Sequence, residues 1–344
     1  MVDEKDGRDM EVTSSENLLE VEALRVAFAG FGKTANVVES FSLSVGHRQK
    51  VGVVGETGCG KSVSMKAILG VLPERTARLS AKRLVFNDRE IRIVEGTRFK
   101  GLKGGGVSYV PQDPMSSLNP VYTVGSQLYD IVRTGIDRER ATREKVKREI
   151  LEALEAVRLS NPEVLLRQYP WQLSGGMQQR ILIAMAITRE PQLLVGDEPG
   201  TALDVTIQDQ ILRLLNDLVK DHGVSIVIIT HNLGVIRLLS DRVTIMYAGC
   251  VVEEGVTTQV FEDPKHPYTQ GLLDSIPKLT GLGIAKGIRG RIPDYRDPPP
   301  GCRFHPRCDY CMTVCTDTRP EHVDISAAHS VACYLYSDGV AHEC

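Results

Sequence analysis

No apolar run in the 344 residues approaches the roughly 18–20 that a helix needs to cross a bilayer, which excludes a membrane-spanning helix. Residues 1–17 are polar and acidic, without the apolar stretch of a secretory signal, and read as a disordered tail. Neither sign of charge dominates. Lys and Arg number 41 against 44 Asp and Glu, a net charge of −3, so the broad basic field that a nucleic-acid partner demands is missing. There is no internal repeat and no long heptad run, which excludes a solenoid or an extended coiled coil. Up to residue 301 cysteine is nearly absent, with only Cys59 and Cys250. What remains, 42% hydrophobic and 25% charged, suffices for one large core and a small extension.

The chemistry begins at residue 55. Gly55, Glu56, Thr57, Gly58, Cys59, Gly60, Lys61 and Ser62 spell a complete G-x-x-x-x-G-K-S loop. Before it, Lys50–Val54 is a short apolar run that reads as a buried strand, and Ser62–Leu69 has helical spacing after it. Glycines in that setting let backbone N–H groups turn inward on phosphates, and the helix N-terminus adds positive potential. Lys61 then reaches the β- and γ-phosphates, and Ser62 holds Mg²⁺. Cys59 reads as a tolerated small residue whose place at a helix N-terminus would lower its pKa.

A second apolar run, Gln192–Gly196, ends in Asp197 and Glu198. The aspartate suits a Mg²⁺ ligand, and the glutamate is set to polarise a water against the γ-phosphate. A third, Ser225–Thr230, ends in His231. A lone histidine after a strand is more often structural. Its place after the acidic strand, however, puts it on the sheet edge where open α/β sheets bind ligands. Leu173-Ser174-Gly175-Gly176 is another glycine-rich turn opening a helix.

In this order the motifs resemble the nucleotide-binding subunit of an ATP-binding cassette (ABC) transporter. The resemblance implies an α/β P-loop NTPase with a RecA-like core, an antiparallel β subdomain and a helical subdomain. It makes Gly55–Ser62 the Walker A loop, Gln112 the Q-loop glutamine that touches Mg²⁺ and water, and Ser174, Gly175 and Gly176 the signature motif. Asp197 becomes the Walker B aspartate, Glu198 the catalytic glutamate, Asp204 the D-loop acid and His231 the switch histidine. Phe28 is similar in position to the aromatic that stacks on adenine, with Phe31 nearby and a core role the alternative. The signature turn of one subunit is then expected to meet the γ-phosphate held by another, so the active unit is a dimer around two ATP molecules.

A narrower resemblance is carried by Gln112-Asp113-Pro114-Met115-Ser116-Ser117-Leu118-Asn119-Pro120, by Asp197-Glu198-Pro199 through Leu203-Asp204-Val205-Thr206-Ile207-Gln208, by Met246-Tyr247-Ala248-Gly249 and by His266-Pro267-Tyr268-Thr269. These look like the oligopeptide/dipeptide (and nickel) permease branch. Gly196 and Gly200 depart from the branch's usual residues without removing a functional group. Implied partners are a second, identical or homologous, ATPase subunit, two transmembrane permease subunits and an extracytoplasmic substrate-binding protein, with this chain on the cytoplasmic face. Peptide is the expected cargo, with nickel chelates or sugars as alternatives. A different class, a soluble ABC ATPase in repair or iron–sulfur assembly, is the competing reading.

The expected organisation is a tail over 1–17, the cassette over 18–262 with its helical subdomain at about 113–185, and an extension over 263–344. Within it Leu18–Phe28 alternates as a half-exposed strand, Arg138–Leu159 reads as an amphipathic helix, and Asp204–Val219 as a helix whose Ile207, Ile211, Leu214, Leu215 and Leu218 form a core stripe. Six of the eight cysteines crowd into the extension, at Cys302, Cys308, Cys311, Cys315, Cys333 and Cys344. In a cytoplasmic setting that density points to metal rather than disulfides. Cys302, Cys308, Cys315 and Cys333 are similar to a permease-branch quartet that can hold a [4Fe–4S] cluster, with Zn²⁺ the alternative and Cys311 a possible substitute ligand.

Overall fold

The computed structural model describes residues 17–30, 32–93, 101–102, 106–135, 142–201, 203–276 and 287–337. The chain opens with a long antiparallel pair, β1 (Asn17–Ala29) and β2 (Thr34–Gly46), followed by β3 (Lys50–Val54) and α1 (Lys61–Ile68). β4 (Ala77–Ser80) and β5 (Arg83–Phe86) return to β1, and β6 (Arg89–Glu90) pairs with β5. β7 (Val107–Val110) leads into α2 (Pro114–Ser117), α3 (Val124–Gly135), α4 (Arg143–Ala156), α5 (Pro162–Leu165) and α6 (Gly175–Ile187). Then come β8 (Leu193–Asp197), α7 (Val205–His222), β9 (Ser225–Thr230), α8 (Leu233–Leu239), β10 (Arg242–Tyr247) and β11 (Cys250–Val256). The chain continues through α9 (Thr257–Glu262), α10 (Pro267–Asp274), α11 (Thr313–Asp317), β12 (Val323–Ser326) and β13 (His329–Val331).

The sheet runs β6-β5-β1-β2-β11-β10-β3-β9-β8-β7, and β10, β3, β9, β8 and β7 are mutually parallel neighbours. β8 and β9 are buried at every residue, which is why they read as unbroken apolar runs: helices cover both faces of a parallel sheet. Alternation within such a run feeds two cores. Leu194, Ile226 and Ile228 face the helices α3, α4, α6 and α7, while Val195, Val227 and Ile229 face α1 and the antiparallel strands.

The α7 stripe is core as expected, with Ile211, Leu214, Leu215 and Leu218 buried and Ile207 half-buried. Asp204 starts this helix by accepting from Ile207 N–H at 2.9 Å, and Gly223 ends it in the left-handed region at φ 69°. Of the expected amphipathic helix over 138–159, residues 143–156 are helical, and 138–141 lie outside the described residues. Thr142 caps it by accepting from Lys145 N–H, and Ile150 and Leu154 are buried. Residues 136–141 lie outside the described residues, as do 1–16, Phe31, Ala202 and Cys344. Among the described residues, no helix is long and apolar enough to cross a membrane.

The segment after residue 262 packs onto the rest of the chain. β13 pairs with β11, Glu253 opposite Val331, so the extension joins the cassette's own sheet. Tyr268 and Phe304 enter the main core, where Phe304 meets Tyr247 edge-on at 5.0 Å.

Candidate functional site

The loop after β3 has the conformation its glycines allow. Gly60 takes φ 104° at the N-cap of α1 and offers no side-chain cap, so the first-turn amides are left for a ligand. Lys61 is buried, with Nζ donating to Gly55 O at 2.7 Å and to Glu56 O at 3.0 Å. Thr57 and Gly58 are exposed at the loop's tip. Cys59 corrects the expectation of a lowered pKa. It is fully buried, and desolvation raises its thiol despite Lys61 Nζ lying 3.8 Å from Sγ.

The parallel register brings the other functional groups to the same edge. Val54 stands opposite Thr230, and Asp197 opposite Ile229, so the residues following β3, β8 and β9 emerge level with one another. Asp197 is buried and doubly bonded: Ser62 Oγ donates to Oδ1 at 2.7 Å, and Tyr109 Oη donates to Oδ2 at 2.6 Å. Burial, and then Asp197 itself, push the Tyr109 phenol well above its usual range, so it stays a donor.

One residue on, Glu198 sits in the left-handed region at φ 47°, a conformation costing roughly 1–2 kcal/mol outside glycine. Its amide donates to Ile229 O at 2.8 Å. The turn aims the carboxylate between two elements. Gln112 Nε2, just past β7, donates to Oε2 at 3.0 Å, and His231 Nδ1, just past β9, lies 2.9 Å from Oε1. A carboxylate only accepts, so the imidazole proton sits on Nδ1. Gln112, Glu198 and His231, read separately from the sequence, form one hydrogen-bonded chain beside the Ser62–Asp197 pair.

The second glycine turn lies elsewhere. Ser174 caps α6 by accepting from Met177 N–H at 3.4 Å and is exposed. Gly176 is required by packing: a Cβ there would lie 2.6 Å from Ile207 Cγ2, so only glycine lets α6 approach α7 this closely. Among the described residues, no hydrogen bond or ion pair joins Ser174, Gly175 or Gly176 to the phosphate loop. Asp204 is occupied in capping α7. Phe28 lies half-buried near the end of β1, opposite Ala35 and Ala77, and packs on the second core.

Sequence reasoning missed Tyr109, whose half-buried strand gives no sign that its hydroxyl faces an acid. It also missed Arg307, which forms an ion pair with Glu56 at 3.0 Å across 251 positions.

In the extension, Cys302, Cys308, Cys315 and Cys333 line one cavity with His266 and Phe304. Burial pushes the Cys302 thiol up to about 12, and those of Cys308 and Cys333 up to about 11. Cys311 is exposed and directed to Met312 O at 3.6 Å. All the described cysteines are free thiols. Among the described residues, no group of three or more His, Cys, Asp or Glu is arranged to hold a metal ion, so the expected metal site of the extension is not seen in the structure.

Residues 38–201 match the ABC transporter family, and residues 252–315 match the oligopeptide/dipeptide transporter C-terminal region. The chain is 40% identical to the dipeptide transport ATP-binding protein DppD of Bacillus subtilis (strain 168), covering 95% of this chain and 97% of that protein. It is also 40% identical to the protein of the same name from Escherichia coli (strain K12), over 88% of this chain and 92% of the other. Its fold is similar to that of cbiO1 from Clostridium perfringens, part of the ABC transporter complex cbiONQ. The TM-score is 0.60 at 23% identity, covering 72% of this chain and 92% of that one.

Proposed function

The chain belongs to the ABC transporter family, in the branch of peptide importers, where it is an ATP-hydrolysing motor subunit; from that premise we propose that it drives uptake of di- and oligopeptides through two ATP molecules held at a dimer interface. The observation that carries the assignment of its residues is the Gln112–Glu198–His231 chain beside Ser62 and Asp197.

Gly55–Ser62 cradles the phosphates, with Lys61 leaving the loop carbonyls for the β- and γ-oxygens. Ser62 and Asp197 are the donor set for Mg²⁺, with Gln112 adjacent. Mg²⁺, when bound, neutralises charge on the phosphate oxygens. Glu198 takes the proton of the attacking water as the bond between the γ-phosphorus and the bridging oxygen breaks, and Gln112 and His231 hold its carboxylate in place. Phe28 stacks on the adenine. Ser174, Gly175 and Gly176, at the N-terminus of α6, face the γ-phosphate bound by the opposite subunit, with Asp204 lining that contact. Loss of the bridging γ-phosphate then releases the halves.

The proposed occupant of the cysteine quartet is a [4Fe–4S] cluster, with Zn²⁺ the alternative; what supports it is that Cys302, Cys308, Cys315 and Cys333 line one cavity. Such a cluster would supply a covalent staple between the 302–315 segment and Cys333.

The complex comprises this chain, a second ATPase subunit, two permease subunits that carry the membrane passage, and an extracytoplasmic substrate-binding protein. The chain sits at the cytoplasmic face. The test is to tag it, solubilise membranes anaerobically and identify by mass spectrometry what co-purifies. Two multi-span subunits and a second ATPase are expected. A chain recovered only from the soluble fraction, alone or with assembly or repair factors, would overturn the importer in favour of a soluble ATPase.

A further inference from the structure

The extension packs back against the phosphate loop and touches it at Glu56 and Gly58. Tyr268 Oη accepts from Glu56 N–H at 2.9 Å. Tyr295 Oη donates to Gly58 O at 2.7 Å. Arg307 forks onto the Glu56 carboxylate, with Nη1 to Oε2 and Nη2 to Oε1 each at 3.0 Å. Arg307 is itself held: Nε donates to Arg289 O at 2.6 Å, and its guanidinium lies 5.6 Å from the Tyr247 ring centroid. Its side chain is 6% exposed and that of Glu56 27%, so this is a shielded ion pair rather than a surface one.

Two consequences follow for nucleotide binding. Glu56 places a negative charge inside a loop built to receive a triphosphate, and the guanidinium cancels it. The fork and the two tyrosines also fix the loop's backbone at Glu56 and Gly58, so its amides are aligned before the ligand arrives. We infer that Arg307, with Tyr295, is a positioning residue for the ATP site, making nucleotide affinity depend on the C-terminal extension. The inference rests on the reading that Gly55–Ser62 binds the phosphates of ATP. It also ties the cysteine site to the motor, because Arg307 directly precedes Cys308.

The test uses the full-length chain, with MgATP affinity from equilibrium titration and kcat and KM from the assembled transporter. Arg307→Gln raises the Kd for MgATP about tenfold while kcat at saturating ATP stays within about threefold. Adding Glu56→Gln to that variant restores most of the affinity, because the uncancelled charge is gone. Tyr295→Phe, which removes one hydroxyl and fills the same space, raises Kd about threefold. Unchanged affinity in both Arg307→Gln and Tyr295→Phe would overturn the inference. So would a fall in kcat and thermal stability that Glu56→Gln does not relieve, since that marks a purely structural contact. Lys61→Ala separates the two levels: if it too leaves MgATP binding intact, the phosphate-loop reading itself fails.

Discussion

Replacing Glu198 with glutamine exchanges one oxygen for an NH₂ group in a site where both carboxylate oxygens are engaged. Oε2 accepts from Gln112 Nε2 at 3.0 Å and Oε1 lies 2.9 Å from His231 Nδ1. An amide in the same place accepts from Gln112 through its oxygen. It donates to His231 Nδ1 through its nitrogen once the imidazole proton moves to Nε2. Neither a cavity nor an unpaired buried group results, so the stability change stays below about 1 kcal/mol. What disappears is the ability to take a proton from water. General-base catalysis contributes about 10²–10⁴-fold, a barrier increase of about 3–5 kcal/mol. Phosphate release by the assembled transporter is therefore expected to fall at least about a hundredfold, while MgATP affinity stays within about twofold. Size-exclusion chromatography should show the ATP-bound dimer accumulating. Turnover within about threefold of the parent would refute Glu198 as the base, and a large loss of thermal stability would show that the amide does not fit between Gln112 and His231.

Ser174→Ala removes the α6 cap, at about 0.5–2 kcal/mol, and leaves ATP binding by the isolated chain intact while abolishing ATP-dependent dimerisation; persistent dimerisation would remove the signature turn from the γ-phosphate. Gly176→Ala drives a methyl to 2.6 Å from Ile207 Cγ2, so Tm should drop by an amount corresponding to about 1–3 kcal/mol, measured by calorimetry. Tyr109→Phe deprives Asp197 Oδ2 of its donor, and the Mg²⁺ concentration for half-maximal ATPase activity should shift by a few-fold in a titration at fixed ATP. Anaerobically purified chain should carry about four iron atoms and visible absorption, both lost in Cys333→Ser; a parent without iron would sink the cluster.

Legibility differed from residue to residue for physical reasons. Gly55–Ser62 was readable because its chemistry is local: eight consecutive residues supply the turn, the amides, the ammonium and the hydroxyl. β8 and β9 were readable because a strand covered on both faces leaves an uninterrupted apolar run. The α7 stripe was assigned to the core on periodicity, and its leucines are buried. The Cys59 thiol is raised rather than lowered; helix-terminus potential is visible in sequence while burial is not. That Phe304 and Tyr268 of the extension join the main core is not written in any local pattern, because their core partners lie far away in sequence.

By itself, the sequence determined the residue types of an ATP-hydrolysing site, the order of its motifs and the buried parallel strands, because each is written in neighbouring residues. Only the tertiary structure decided which of them meet. Gln112, Glu198 and His231 follow three different strands and converge because the parallel register ends those strands level. Tyr109 finds Asp197, and Arg307 finds Glu56 from 251 positions away, because folding brings together side chains that no local pattern links.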